Sequence, residues 1–155
     1  MRQEIELNDL LTTGSWGLAR IIRRDAPWNV KAPRFPIQTF FDSVRDGTGV
    51  DIYLLDTGVD GTHPEFEVNV TNAWEYYSSG GVGDDTITGH GTAAASILIG
   101  KTCGVARGAQ IRSMKVYASN SFTTTEACFA GLEAVVTDYN SREELGRPAV
   151  CVVNF

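Results

Sequence analysis

Three short apolar runs separated by two stretches of helical spacing leave this chain few folds to choose from. Val50 to Leu55, Ile111 to Tyr117 and Ala149 to Val153 are rich in β-branched and large apolar residues, as strands buried within a sheet are. Gly47 and Gly49 precede the first run and Asp56-Thr57-Gly58 follows it, the turn chemistry that bounds a strand. Thr92 to Ile99 and Thr124 to Tyr139 read as helices. In the second, Ala127, Ala130, Leu132, Ala134, Val135 and Tyr139 recur at three- and four-residue steps, the spacing of one helix face. Thr123 to Thr125 offer an N-cap with Glu126 in the first turn, and Asn140-Ser141 marks the end. Strands alternating with helices imply crossover connections, hence a mostly parallel sheet covered by helices, and the class is α/β. Residues 1–48 read as irregular and loop-rich, because Pro27, Pro33 and Pro36 are too closely spaced for a helix to pass. The glycine-rich stretch from Ser78 to Asp85 reads as a flexible surface loop.

A chain of 155 residues suits one domain of roughly 100–200 residues, and 43% hydrophobic residues supply a core. Thirteen Lys and Arg against 19 Asp and Glu give a net charge of −6, the wrong sign for neutralising phosphates, so no nucleic-acid partner is expected. No apolar run approaches the ~20 residues that cross a bilayer, so no membrane partner is expected either. Cys103, Cys128 and Cys151 are odd in number and widely spaced, without a Cys-x-x-Cys or Cys/His cluster. They read as small buried hydrophobes, and no metal site is expected. The opening residues Met1 to Leu10 carry alternating charge and no apolar segment, so no signal peptide is expected in this chain.

In open parallel sheets, ligands bind beyond the carboxyl ends of the strands. Asp56 stands there, where Gly58 permits a sharp turn and Thr57 can hydrogen-bond the carboxylate. Taken alone, Asp-Thr-Gly also fits an aspartate capping a turn. It begins the aspartic-protease motif too, but that site pairs two copies from β-rich lobes. His90 lies between Gly89 and Gly91 at the start of an apolar helix, which leaves its ring accessible and its backbone free to turn. With an aspartate ending the preceding strand, it makes half of a nucleophilic triad, since a buried carboxylate can fix the imidazole tautomer and stabilise imidazolium. His63, soon after Asp56 in a Thr-His-Pro sequence, reads as a turn residue.

Asp56-Thr-Gly-Val-Asp-Gly-Thr-His-Pro-Glu-Phe66 followed by Gly89-His-Gly-Thr92 resembles the subtilisin-like serine proteases, closest to their proteinase K branch. Trp16-Gly-Leu-Ala-Arg-Ile21, Gly104-Val-Ala-Arg-Gly-Ala109 and Met114-Lys-Val116 extend the resemblance from about residue 15 to 155. It implies a three-layer α/β fold, truncated before its C-terminal half. Residues 15–155 would be the N-terminal portion of a catalytic domain, and residues 1–14 a pro-segment tail or an artificial start. It implies that Asp56 is the triad carboxylate and His90 the general base. Ser121, Phe122, Thr123 and Thr124 would lie near the strand that holds extended peptides by backbone pairing. Peptide or protein substrates, a monomer and secretion follow from the family. No cofactor is expected; calcium belongs to full-length members, and no ligand for it can be assigned here. The family's nucleophile lies in a Gly-Thr-Ser motif, which does not occur in these residues, so the chain alone is expected to be inactive. Asn154 is given no role, because the family's oxyanion asparagine comes later. Ala93-Ala-Ala-Ser96 departs from the usual residues after Gly-His-Gly-Thr but keeps a small-residue helix start. The alternative is a non-catalytic fragment or pseudoenzyme that binds peptides or a partner chain.

Overall fold

A strand buried on both faces needs helices on both sides, and the computed structural model supplies them. It describes residues 10–13, 16–21, 37–40, 46–66, 69–77, 85, 88–118, 122–142 and 146–154. In chain order the elements are β1 (Leu10–Thr13), α1 (Trp16–Ile21), β2 (Ile37–Phe40), β3 (Asp51–Asp56), β4 (Val70–Glu75), α2 (His90–Ile99), β5 (Gln110–Lys115), α3 (Thr125–Ser141) and β6 (Ala149–Val153). The main sheet runs β4-β5-β3-β6, with every neighbouring pair parallel.

All six residues of β3 are buried, and their alternation splits the core in two. Ile52 and Leu54 join Ile111 beneath Ala95 and Ile99 of α2, with Val59 and Phe66 alongside. Tyr53 and Leu55 join Met114 and Val116 on the opposite face, under Ala134 and Val135 of α3. Thr124 caps α3 by accepting the Ala127 N–H at 3.2 Å, with Glu126 in the first turn. The helix comes down on the sheet at Gly131, where a Cβ would stand 2.5 Å from Val116 Cγ1 and 3.3 Å from Leu55 Cδ2. Polar ties fix it in place. Arg112 grips Asp138 of α3 through Nε and Nη2 at 2.7 and 2.6 Å, and Tyr53 donates its hydroxyl to the same carboxylate at 2.6 Å. Burial and that acceptor push the Tyr53 phenol up to about 12.

The structure departs from the sequence expectations in several places. The leading segment is not wholly irregular: β1 and β2 pair antiparallel, and α1 buries Leu18; Pro27, Pro33 and Pro36 lie outside the described residues. β4 was not expected at all. It is half-exposed, mixes polar with apolar residues and shifts register between Asn72 and Trp74, so it shows no continuous apolar run. α2 starts at His90 rather than Thr92, because Gly89 takes the N-cap position at φ 68°. In α3 the face on the sheet is Ala127, Gly131, Ala134 and Val135, while Leu132 and Tyr139 are exposed. The cysteines are not buried. Cys103 and Cys128 are half-buried and Cys151 is exposed on the outer strand β6, and all three are free thiols. Asp85 is no surface-loop residue, being only 3% exposed; residues 78–84 lie outside the described set.

Gly131 yields a test of the packing. Gly131→Val adds a Cβ and two methyl groups against Val116, and overpacking of this kind costs about 1–3 kcal/mol. A fall of that size in unfolding free energy by urea denaturation is expected; an unchanged midpoint would contradict the close helix approach.

Candidate active site

Asp56 ends β3 and is wholly inaccessible to solvent. A buried carboxylate must be surrounded by donors, and it is. Its Oδ1 accepts the Thr57 N–H at 2.6 Å and His90 Nδ1 at 2.8 Å, and its Oδ2 accepts Asn154 Nδ2 at 2.9 Å. An ionised carboxylate only accepts, so Nδ1 of His90 carries the proton and Nε2 is left as the basic nitrogen. The His90 side chain is 61% exposed. The hydrogen bond to Asp56 raises its pKa, the Asp56 charge adds to this, burial opposes it, and the Asp85 charge contributes less again in the raising direction.

Backbone geometry makes this meeting possible. Gly58 turns the chain after β3 at φ 109°. Gly91 lets α2 come down on that turn, since a Cβ there would stand 2.1 Å from the Gly58 carbonyl and 3.1 Å from Asp56 Cβ. The Gly91 N–H donates to Thr57 Oγ1 at 2.9 Å. Thr57 hydrogen-bonds the Asp56 carboxylate as expected, and does so through its amide, while its hydroxyl donates to Asp85 Oδ1 at 2.6 Å.

Asp56 and His90, chosen from sequence, are thus in contact. His63 is exposed, accepts the Glu65 N–H at 3.2 Å and faces the Phe66 ring. Asp60 turns its Oδ1 to Thr62. Ser121 lies outside the described residues. Phe122 is exposed, and its carbonyl accepts the Ala118 N–H at 2.7 Å. The Thr123 hydroxyl donates to the Val116 carbonyl at 2.6 Å and Thr124 caps α3. Both threonine side chains are therefore engaged within the loop. The loop follows β5, at the sheet end where the Val116 N–H donates to the Asp56 carbonyl.

Two residues escaped sequence reasoning. Asn154 reaches Asp56 because β6 lies beside β3 with Val153 opposite Leu55, a signal that exists only once strand order is known. Asp85 accepts from Thr57, Thr88 and Thr92. Burial works against its ionised form, but those hydrogen bonds outweigh it and hold its pKa below the usual carboxylate value. Among the described residues no group of three or more His, Cys, Asp or Glu is placed to hold a metal. Among the described residues, too, no helix is long and apolar enough to cross a membrane.

Residues 47–140 match the model described as the Subtilase family. The chain is 34% identical over 139 residues to Subtilisin-like protease 3 of Trichophyton tonsurans, covering 88% of this chain and 31% of that protein. It is 33% identical over 138 residues to Proteinase R of Parengyodontium album, covering 89% and 32%. A crystal structure of a cold adapted subtilisin-like serine proteinase superposes with a TM-score of 0.71 at 26% identity, over 91% of this chain and 45% of that one. The chain spans about a third of the length of the curated relatives it matches.

The raised His90 pKa fixes the sign of a pH effect. Protonated His90 is favoured in the folded state, so its contribution is fully present below the unfolded value of about 6.5. It is lost as pH rises through the higher folded pKa. Solvent screening at this exposed ring keeps the effect below about 1 kcal/mol. The stability difference between wild type and His90→Ala, measured by denaturation from pH 5 to 9, is expected to shrink with rising pH. A difference that grows would contradict the pairing.

Proposed function

The chain belongs to the subtilase family, and from that premise we propose that it supplies the aspartate and histidine of a serine endopeptidase's Asp-His-Ser triad. The observation that carries this reading is the 2.8 Å contact of His90 Nδ1 with the buried Asp56 carboxylate, on a ring that remains largely exposed. The serine would come from sequence outside these residues, since no Gly-Thr-Ser occurs in them.

In this mechanism the serine hydroxyl attacks a peptide carbonyl while Nε2 of His90 takes its proton, and His90 then returns the proton to the leaving amine. Asp56 holds the tautomer that keeps Nε2 free and stabilises the imidazolium as it forms. Asn154 spends its amide on Asp56, which supports leaving it out of the oxyanion hole; that donor, too, would come from elsewhere. Because the side chains of Thr123 and Thr124 are engaged within the loop, the segment from Ser121 to Thr124 would meet an extended peptide through its backbone and the Phe122 ring. Substrates would be peptides or proteins, and the working enzyme a secreted monomer.

A fluorophosphonate serine probe read by intact mass tests this. The 155-residue chain is expected to gain no adduct, and a polypeptide extended through a Gly-Thr-Ser-containing segment to gain one. Its labelling rate should rise with pH through the His90 pKa, above about 6.5, because only neutral imidazole accepts the serine proton. In subtilisin, a member of this family, loss of the histidine costs about a millionfold in kcat, and His90→Ala in the extended polypeptide should lose labelling on a comparable scale. No adduct on the extended polypeptide would overturn the assignment in favour of a non-catalytic binding module.

A further inference from the structure

Two hydroxyl relays end on one carboxylate. The Gly91 N–H donates to Thr57 Oγ1, and the Thr57 hydroxyl donates to Asp85 Oδ1. The Asp60 N–H donates to Thr92 Oγ1 at 3.0 Å, and that hydroxyl donates to Asp85 Oδ2 at 2.7 Å. The Thr92 N–H reaches Oδ2 directly at 2.8 Å, and the Thr88 hydroxyl reaches Oδ1. A hydroxyl has one proton, so each of Thr57 and Thr92 presents a lone pair to its amide partner while Asp85 accepts that proton. One buried carboxylate therefore orients both threonines.

The consequence falls on the first turn of α2. Four amides at a helix start have no partner inside the helix, and the N-cap here, Gly89, makes no side-chain cap bond. Asp85 takes the Thr92 amide itself and, through Thr57, fixes the acceptor of the Gly91 amide. Its negative charge also sits at the helix end where the dipole favours it. His90 is the first residue of this turn, and the two amides so held, of Gly91 and Thr92, follow it directly. Asp56 binds the ring, and Asp85 fixes the backbone that delivers it.

We propose that Asp85 is a positioning residue for His90, acting through Thr57 and Thr92 to set the first turn of α2 against the turn that follows Asp56. This rests on the reading of His90 as general base, but its geometry stands without hydrolysis. An asparagine at 85 keeps the shape and turns an NH₂ group, itself a donor, toward one of the two donor clusters, so Asp85→Asn should release the turn. Thr57→Val removes one relay while leaving the Asp85 charge in place.

The test is proton NMR of the isotope-labelled chain, following solvent exchange of the His90 Nδ1 proton alongside the methyl signals of Leu54 and Ile111. Both variants are expected to exchange that proton about tenfold faster or more, the scale of one lost hydrogen bond to a charged group, with methyl signals unchanged. Wild-type exchange in both would overturn the proposal. So would collapse of the methyl signals in both, which would make Asp85 a residue of the fold at large. Because the readout needs no nucleophile, a positive result beside a failed probe reaction would sink the peptidase reading and leave Asp85 in its role.

Discussion

A negative charge held out of water at the end of the central strand governs how the rest of this molecule is arranged. Burying a carboxylate costs several kcal/mol unless donors surround it, and Asp56 is wholly buried. Its donors come from its own turn, from α2 and from the end of β6. Three separate parts of the chain must therefore converge on one point. β3 can offer that point because both of its faces are covered, so its carboxyl end is fixed by packing on either side. The two glycines nearest the site serve the same convergence. Gly58 turns the chain and Gly91 lets the helix touch it.

Two further carboxylates, away from this point, tie the layers together. Asp138 fastens α3 to Arg112 and Tyr53. Asp51, at the opposite end of β3 from Asp56, is held by Arg142 at 2.7 Å and Arg147 at 3.1 Å. Each of these carboxylates is paired with arginine, a partner that stays charged. Asp56 instead has a histidine, the one partner type that can give up and regain its proton near neutral pH. The difference in partner sets the carboxyl end of β3 apart from the places where the layers are tied together.

Much of this was legible in the chain before any coordinates. β3 announced itself because a strand covered on both faces reads as a continuous apolar run, and β5 and β6 showed as comparable runs, although β6 lies at the sheet edge with Val150, Cys151 and Val153 exposed rather than buried. α3 announced itself through its spacing and its threonine cap. Asp56 and His90 stood out because glycines beside them mark turns that only a close backbone approach requires. β4 was hidden by its exposed residues and its shifted register at Ala73. Leu132 and Tyr139 misled because apolar residues on a helix do not all face the same way. Asp85 sits in a glycine-rich stretch whose composition suits solvent, and its hydrogen bonds to the nearby Thr88 and Thr92 and to Thr57 of the turn after β3 hold it in a buried place. Asn154 needed the neighbour relation of β6 and β3, which no local pattern contains.

In the proposed mechanism Asp56 fixes one tautomer of His90 and leaves Nε2 as the base. Nitrogen-15 NMR of the histidine rings, recorded at a pH above the His90 pKa, tests it most directly. A single neutral tautomer protonated at Nδ1 is expected, with that proton strongly deshielded by the carboxylate. A ring protonated at Nε2, or one averaging freely between the two forms, would contradict it.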